Sequence, residues 1–494
     1  MAKSWRTLFV LLLCLALVAA GCGNDDDNDA SPPAGQVPTG EANPTAEATA
    51  MATEQAPATE PEPTEMATES PEPEPTAMAD TPAEPADPNI IELGGGAAIN
   101  LADCPAEWEN NTGLTDSQIR FGISLPQSGP AGGFGTIAEG MSLYFADQEP
   151  IDGREVVIDA RDDGYVPART KVNVEEMIDA ANLLGFVGIL GSPNNKAVHE
   201  ELNDNCIPQL LNLTGLPQWG DPNNFPWTSG GLMSYETEAF VWCQHIADEF
   251  GEGATAAVLA LGNDAGEAWL GGFQDCAGDY GIEVVDEQSH DPQADGVGSN
   301  ITTLAASGAD VLVIASTGAF CPQSVAAAAV LEWDPLILVA NGCQSIALFW
   351  NPIGPLANGI RMINTQKDVS DSSLADDEWV QWVRGSLEGA GVDPEAASHA
   401  LGYGFAEILH EVLLAANEMD GGINRTNVMQ AMWQVDFEAQ GAIGNSLRKM
   451  DGATDSYLVE AGRMEELVVD ADGARYVPVS ELINLEGETG TFGG

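Results

Sequence analysis

IRFGISLPQSGPAGGFG, residues 119–135, sets the pattern for the folded part of the chain: an apolar strand, a Gly/Pro-rich turn, then the start of a helix. IRFGISL (119–125) reads as the strand. From about residue 135 to 148, Ile137, Met141, Tyr144 and Phe145 recur at i, i+4, i+7 and i+8, which places them on one helical face. The alternation continues outward. EVVIDA (155–160), FVGIL (186–190) and PQLLNL (208–213) read as strands, separated by helices over 166–184 and 194–205. A Gly/Pro/Trp-rich stretch, 216–231, precedes a second set. There AAVLAL (256–261), IEVVDE (282–287), DVLVIAS (310–316) and LILVA (336–340) alternate with helices over 237–250, 266–280, 301–307 and 321–333. Helices near 377–390, 394–419 and 424–433 and a β-like tail over 458–478 follow. Short apolar strands alternating with helices predict parallel sheets covered on both faces. The fold class is therefore α/β, with two doubly wound parallel-sheet lobes.

The N-terminus reads differently. Lys3 and Arg6 precede a thirteen-residue apolar run, Leu8 to Ala20, ending in AAGC at Cys22. A bilayer-spanning helix needs roughly 20 apolar residues, so the run suits a signal peptide over 1–21. The small residues before Cys22 resemble the lipobox of bacterial lipoproteins, which implies lipidation at Cys22 and an anchor at the extracytoplasmic face of the cell membrane. Residues 22–96 are a Pro/Thr/Ala/Glu-rich tract; positions 23–96 hold 17 acidic residues and no Lys or Arg. Such a composition cannot bury enough apolar surface to offset chain entropy, so the tract is expected to be an extended tether that contributes nothing to the fold's stability. Residues 483–494 are expected to form a flexible tail.

After residue 100 lie 60 of the 77 acidic and 14 of the 16 basic residues, a net charge near −46. That balance excludes nucleic acid as a partner, which needs a basic face. Cys104, Cys206, Cys243, Cys276, Cys321 and Cys343 remain after Cys14 and Cys22 are set aside. In an oxidising compartment they allow three disulfides in fifteen connectivities. Their places among the predicted elements favour Cys206–Cys243 and Cys321–Cys343. No CxxC pattern occurs.

Four stretches carry a family resemblance: DSQIRFGISLPQSGPAGGFG (116–135), DDGYVPAR (162–169), VGILGS (187–192) and IPQLLNLTGLPQW (207–219). The chain resembles the branched-chain amino acid (Leu/Ile/Val) binding family of ABC transporter substrate-binding proteins, which have the type I periplasmic-binding fold. The resemblance implies a binding domain over 97–482, with two lobes joined by a three-stranded hinge and closing like a Venus flytrap. Lobe one then covers about 116–236 and 366–445, and lobe two about 237–365 and 446–482. It implies a monomer that captures a branched-chain amino acid or a related small carboxylate or amide for a permease and ATPase complex, without a cofactor.

The site follows from the same resemblance. In open parallel sheets ligands bind beyond the carboxyl ends of strands, against helix N-termini that favour a carboxylate. Ser192 falls where the family holds the ligand carboxylate, and Leu213, Thr214 and Gly215 match its second contact. Phe134 takes the place of an aromatic lid residue. In lobe two, Ala265 stands where the family often has Tyr, and Asn341 where it has the amine-binding Glu. An ammonium group prefers a buried carboxylate, so the ammonium half of the site is expected to be weakened. Ser316 or Thr317 is expected to face the cleft. A sensor lipoprotein of the same fold is the alternative. A nucleotide-dependent enzyme is disfavoured: GFGTIA (133–138) fits G-x-G-x-x-G/A and Asp159 follows, but the motif starts eight positions beyond Leu125, too far from its strand.

Overall fold

A computed structural model describes residues 87–180, 182–395 and 398–493. The signal segment, Cys22 and the tract before residue 87 lie outside the described residues. Among the described residues, no helix is long and apolar enough to cross a membrane.

Two sheets organise the chain. The first has five parallel strands in the order Glu155–Asp162, Gln118–Leu125, Gly185–Val187, Gln209–Asn212 and Thr228–Gly230. The second has seven, beginning with Glu283–His290, Thr255–Leu261, Val311–Ala315, Leu336–Val339 and Arg361–Asn364, all parallel. Ala461–Asp470 and Gly473–Asn484 then add as an antiparallel hairpin, which is where the β-like tail goes. Val311–Ala315, VLVIA, is buried at every position. That continuous apolar run marks a strand covered on both faces. Glu155–Asp162, at a sheet edge, is only partly covered and carries the charged residues Asp159, Arg161 and Asp162.

The chain passes between the two sheets three times. After Thr228–Gly230 it enters the second sheet, leaves it after Arg361–Asn364, and re-enters at Ala461. In the middle passage, helix His399–Glu418 returns to pack on helix Thr136–Ala146 of the first lobe. A Cβ on Gly140 would lie 2.1 Å from the His399 carbonyl oxygen, and one on Gly402 would lie 2.2 Å from that of Ile137. Only glycine lets these two backbones touch.

Three disulfides close: Cys104–Cys206, Cys243–Cys276 and Cys321–Cys343. The last is the favoured pairing; Cys206–Cys243 is corrected. Cys206 precedes its strand and so lies at the amino-terminal end of the first sheet, beside Trp108, whose indole N–H donates to the Cys206 carbonyl at 2.8 Å. Cys243 lies in helix Tyr235–Phe250, which packs against helix Asp264–Ala277, and there it meets Cys276.

Two boundaries also move. Within the segment assigned to the tether, Ile90–Gly94 pairs antiparallel with Ala97–Asn100. Leu93, Ala97 and Ile99 are buried, and the Gly94 carbonyl accepts the Ala453 N–H at 3.2 Å. The C-terminal segment is pinned too: the Phe492 N–H donates to the Gly220 carbonyl at 3.0 Å and the Ser456 N–H to that of Gly490 at 3.0 Å. The hairpin should therefore matter to stability. Removing Leu93 and Ile99 forfeits about 3–6 kcal/mol of apolar burial. A chain beginning at Leu101 should melt several degrees below one beginning at Asp87 in thermal denaturation, whereas equal melting would return residues 90–100 to the tether.

Candidate functional site

A cleft opens where the carboxyl ends of the strands of both sheets converge. From the first lobe, Leu190 and Gly191 reach it just after strand Gly185–Val187, and Leu213 just after strand Gln209–Asn212. Tyr165 reaches it from the turn that follows strand Glu155–Asp162. Its φ of 62° is left-handed, and buried Asp163 holds it there, accepting the Tyr165 N–H at 2.8 Å. Asp163 also accepts the hydroxyls of Ser124 at 2.8 Å and Thr170 at 3.0 Å, so the second Asp of the DDGYVP motif serves to shape this turn. Gly191, at φ 98°, passes so close to Tyr165 that a Cβ would lie 2.5 Å from its ring.

The second lobe supplies the rest. Asn263 caps helix Asp264–Ala277, accepting the N–H of Ala265 at 3.0 Å, and this helix presents Ala265 and Trp269 to the cleft. Thr317 follows strand Val311–Ala315 and Asn341 follows strand Leu336–Val339. Helix Tyr235–Phe250 begins two residues earlier than its apolar spacing suggests, and its first turn brings Tyr235 and Glu238 to the wall. The rings of Tyr235 and Trp269 lie 3.8 Å apart at 34°. Phe134, Ile137, Leu232, Met233, Phe349 and Leu401 complete a mainly apolar lining.

Of the residues assigned from sequence, Phe134, Leu213, Ala265, Thr317 and Asn341 line this one cleft. Ser192 and Thr214 are fully buried and bonded to each other, hydroxyl to hydroxyl, at 2.5 Å. The Tyr235 hydroxyl donates to Thr214 at 3.3 Å, so the pair braces the wall. Ser192 nevertheless opens helix Ser192–Asp204 directly after the lining residues Leu190 and Gly191. Gly215 accepts the Tyr235 N–H at 2.7 Å, and a Cβ there would lie 2.2 Å from the Met233 carbonyl oxygen. No Thr fits at that position. Ser316 is buried against His290, its hydroxyl 2.8 Å from Nε2, while Thr317 takes the cleft. The GFG segment forms a short 3-10 turn with Phe134 buried 5.8 Å from the Phe349 ring, and Asp159 faces Arg120 and Arg161. Neither is arranged for a dinucleotide.

The ionisable lining consists of Glu238, Lys367, Asp368 and two tyrosines. Lys367 is committed: its ammonium lies 2.8 Å from Asp377 and donates to Asn445 at 3.0 Å. Asp368 accepts the N–H of Ile346 at 2.6 Å and of Ser370 at 2.8 Å, and burial pushes it up to about 6. Glu238, only 1% exposed, accepts the Asn341 N–H at 2.5 Å and the Trp269 indole N–H at 2.7 Å. Burial outweighs these bonds and pushes it to about 7. Sequence reading placed Asn341 where a carboxylate was wanted and missed the carboxylate bonded to Asn341's own backbone. The signal was present: Glu238 shares the apolar stripe of its helix with Tyr235, Ala239, Trp242 and Ile246, and an acid on such a stripe is buried.

A family model described as "Periplasmic binding protein" matches residues 118–462. The chain belongs to that family. A search of curated proteins by sequence returns no match. Solved structures share this binding protein's fold. A fatty acid ABC transporter substrate-binding protein from Thermomonospora curvata aligns at 19% identity and a TM-score of 0.65, covering 76% of this chain and 95% of that one. A branched chain amino acid ABC transporter protein from Thermus thermophilus, with bound valine, aligns at 18% and 0.64, covering 75% and 97%. A solute binding protein from R. palustris in complex with 4-hydroxybenzoate aligns at 16% and 0.63, covering 74% and 97%. The type I periplasmic-binding architecture of two α/β lobes is thus established for this binding protein.

Burial of Glu238 has a testable cost. Its carboxyl titrates near 7 in the fold and 4.5 without burial. Between those values the unfolded chain loses a proton that the native protein keeps, so this group lowers stability as pH rises from 4.5 to 7, by on the order of 3 kcal/mol. Glu238→Gln removes that slope. Its melting temperature relative to the unaltered protein should rise between pH 5 and pH 8; a constant difference would mean that Glu238 titrates normally.

Proposed function

We propose that this protein is the extracytoplasmic, lipid-anchored solute-binding component of an ABC importer. It captures a branched-chain amino acid or a closely related small carboxylate or amide between its lobes and delivers it to a permease and ATPase complex. The observation that carries the ligand class is the buried, doubly hydrogen-bonded carboxyl of Glu238, which no Lys or Arg among the described residues pairs, set in an aromatic and aliphatic cleft. An apolar side chain suits the Leu, Met, Phe and Trp lining. The ligand's ammonium group pairs with Glu238, and its carboxylate lies toward the N-terminus of helix Ser192–Asp204, where unpaired N–H groups favour negative charge. Glu238 thus takes the part that Asn341 cannot play.

The reading fixes a pH dependence. An ammonium ligand favours ionised Glu238, so binding expels the proton that the free protein holds below about pH 7. Affinity for leucine, isoleucine or valine should therefore tighten from pH 5 to 7, by at most about tenfold per pH unit, and then level off. Affinity for the matching keto acids should lack that rise. Calorimetry with amino acids, keto acids and amides at three pH values checks this. Glu238→Gln should weaken amino-acid binding about ten- to a hundredfold, the worth of a hydrogen bond to a charged group, and change keto-acid binding little. Tight binding of a keto acid with no response to amino acids would overturn the ammonium assignment.

The anchor is tested separately. Mass spectrometry of membrane-extracted protein should find acylated Cys22 as the first residue, and Cys22→Ser should release the protein into the soluble fraction.

A further inference from the structure

Away from the cleft, three carboxylates converge from separate segments. Asp455 lies in the loop before the third crossing's end, Glu460 immediately precedes strand Ala461–Asp470, and Glu486 follows strand Gly473–Asn484. One oxygen from each lies within 4.8 Å of the others. Asp455 is only 3% exposed and Glu460 1%. Glu460 is partly satisfied, accepting the Gly487 N–H at 3.0 Å and the Thr489 hydroxyl. Glu486 accepts the Lys449 ammonium at 3.3 Å. Asp455 differs. Among the described residues neither of its buried oxygens meets a hydrogen-bond donor, and Lys449 stands 3.8 Å away.

Three carboxylates against one lysine leave the cluster two charges short of neutrality. Unpaired buried carboxylates cost several kcal/mol each, and a divalent cation supplies the two missing charges. The donors are all carboxylate oxygens, without His or Cys, which selects a hard cation. Ca2+ takes oxygens at about 2.3–2.6 Å, so two on opposite sides of it stand up to roughly 5 Å apart, whereas Mg2+ demands a tighter octahedron. Mg2+ also keeps most of its water and is usually held by one or two carboxylates, so three converging protein carboxylates favour Ca2+.

We propose that Asp455, Glu460 and Glu486 bind one Ca2+ ion, which staples the C-terminal segment 485–493 to the loop that leads the chain back into the second sheet. The neighbouring backbone is already laid out for it. The Leu485 N–H donates to the Glu460 carbonyl at 3.0 Å, and the Ser456 hydroxyl bonds Thr491 at 2.8 Å. The ion would couple the last segment of the chain to a lobe crossing, independently of the ligand cleft.

The test is calorimetric titration of EDTA-stripped full-length protein with CaCl2 and, separately, MgCl2 at pH 7.5, with amide hydrogen exchange over 485–491 read in parallel. One Ca2+ per chain is expected, bound at least tenfold more tightly than Mg2+, with slower exchange at Gly487 and a melting temperature raised by about 3 °C at about 2 mM Ca2+. Asp455→Asn removes a buried charge, so it should melt at or above the stripped protein and ignore Ca2+. Glu486→Gln, at a half-buried position, should lose the exchange protection without harming the fold. The proposal is overturned if exchange and melting are the same with and without Ca2+. It is equally overturned if Ca2+ binding persists in both variants.

Discussion

The two lobes face each other because the chain crosses between them on paired backbone. The Lys367 N–H donates to the Gly441 carbonyl at 2.8 Å and the Ile443 N–H to that of Thr365 at 3.2 Å, with Gln366 bridged to Ala442. Two buried charges hold this pairing. Glu407 accepts the N–H groups of Gln440 and Gly441 at 2.7 and 3.0 Å, and Arg448 donates to the Thr365 carbonyl at 2.9 Å and to the Ser446 hydroxyl at 3.0 Å. Either charge alone in the interior would cost several kcal/mol. Here each is solvated by the backbone of the crossing, so neither the charges nor the crossing is stable without the other. The cleft inherits that rigidity, since Lys367 and Asp368 continue the crossing into its wall.

The elements legible in the sequence were those whose signal is local. Val311–Ala315 and residues 256–261 are unbroken apolar runs because both faces of a central parallel strand are covered, and the long helices show their stripes because one face of each is covered. What escaped was set by contacts distant in sequence. The pairing of Cys206 depended on which end of the first sheet it occupies. The hairpin 90–100 hid behind three consecutive glycines at 94–96 and an acidic neighbourhood, although Leu93, Ala97 and Ile99 alternate as a buried strand face should. Gly215 was read as part of a ligand contact, yet it serves the packing of its neighbours, and the Met233 carbonyl leaves room for nothing larger.

The same distinction separates the two halves of the site. Its framework of strand ends and helix starts was legible, because topology alone places ligands there. The side chain richest in chemistry was not. Aligning position against position gave Asn341 and the inference of a missing acid. In the fold, an acid on a different helix reaches the same place and bonds the backbone of Asn341. A buried charge can migrate between elements while its location in the cleft stays fixed, and no linear comparison follows such a move.

Charge distribution constrains what the cleft can recognise. Fourteen Lys and Arg residues follow position 100. Eleven lie within ion-pair distance of a carboxylate. Arg425 and Arg448 are buried and spent on backbone carbonyls. Lys367 alone lines the cleft, and Asp377 holds it. Arg169, the fourteenth, is exposed and does not line the cleft, so among the described residues a ligand carboxylate there meets no uncommitted guanidinium or ammonium; backbone N–H groups, hydroxyls and the amides of Gln344 and Asn341 remain to receive it. An ammonium group, by contrast, meets Glu238 in a chain with carboxylates to spare. The asymmetry follows from composition: in so acidic a protein, cations are scarce enough that the fold uses them for its own architecture, and the acidic groups left facing the cleft are Glu238 and Asp368, both held up by burial.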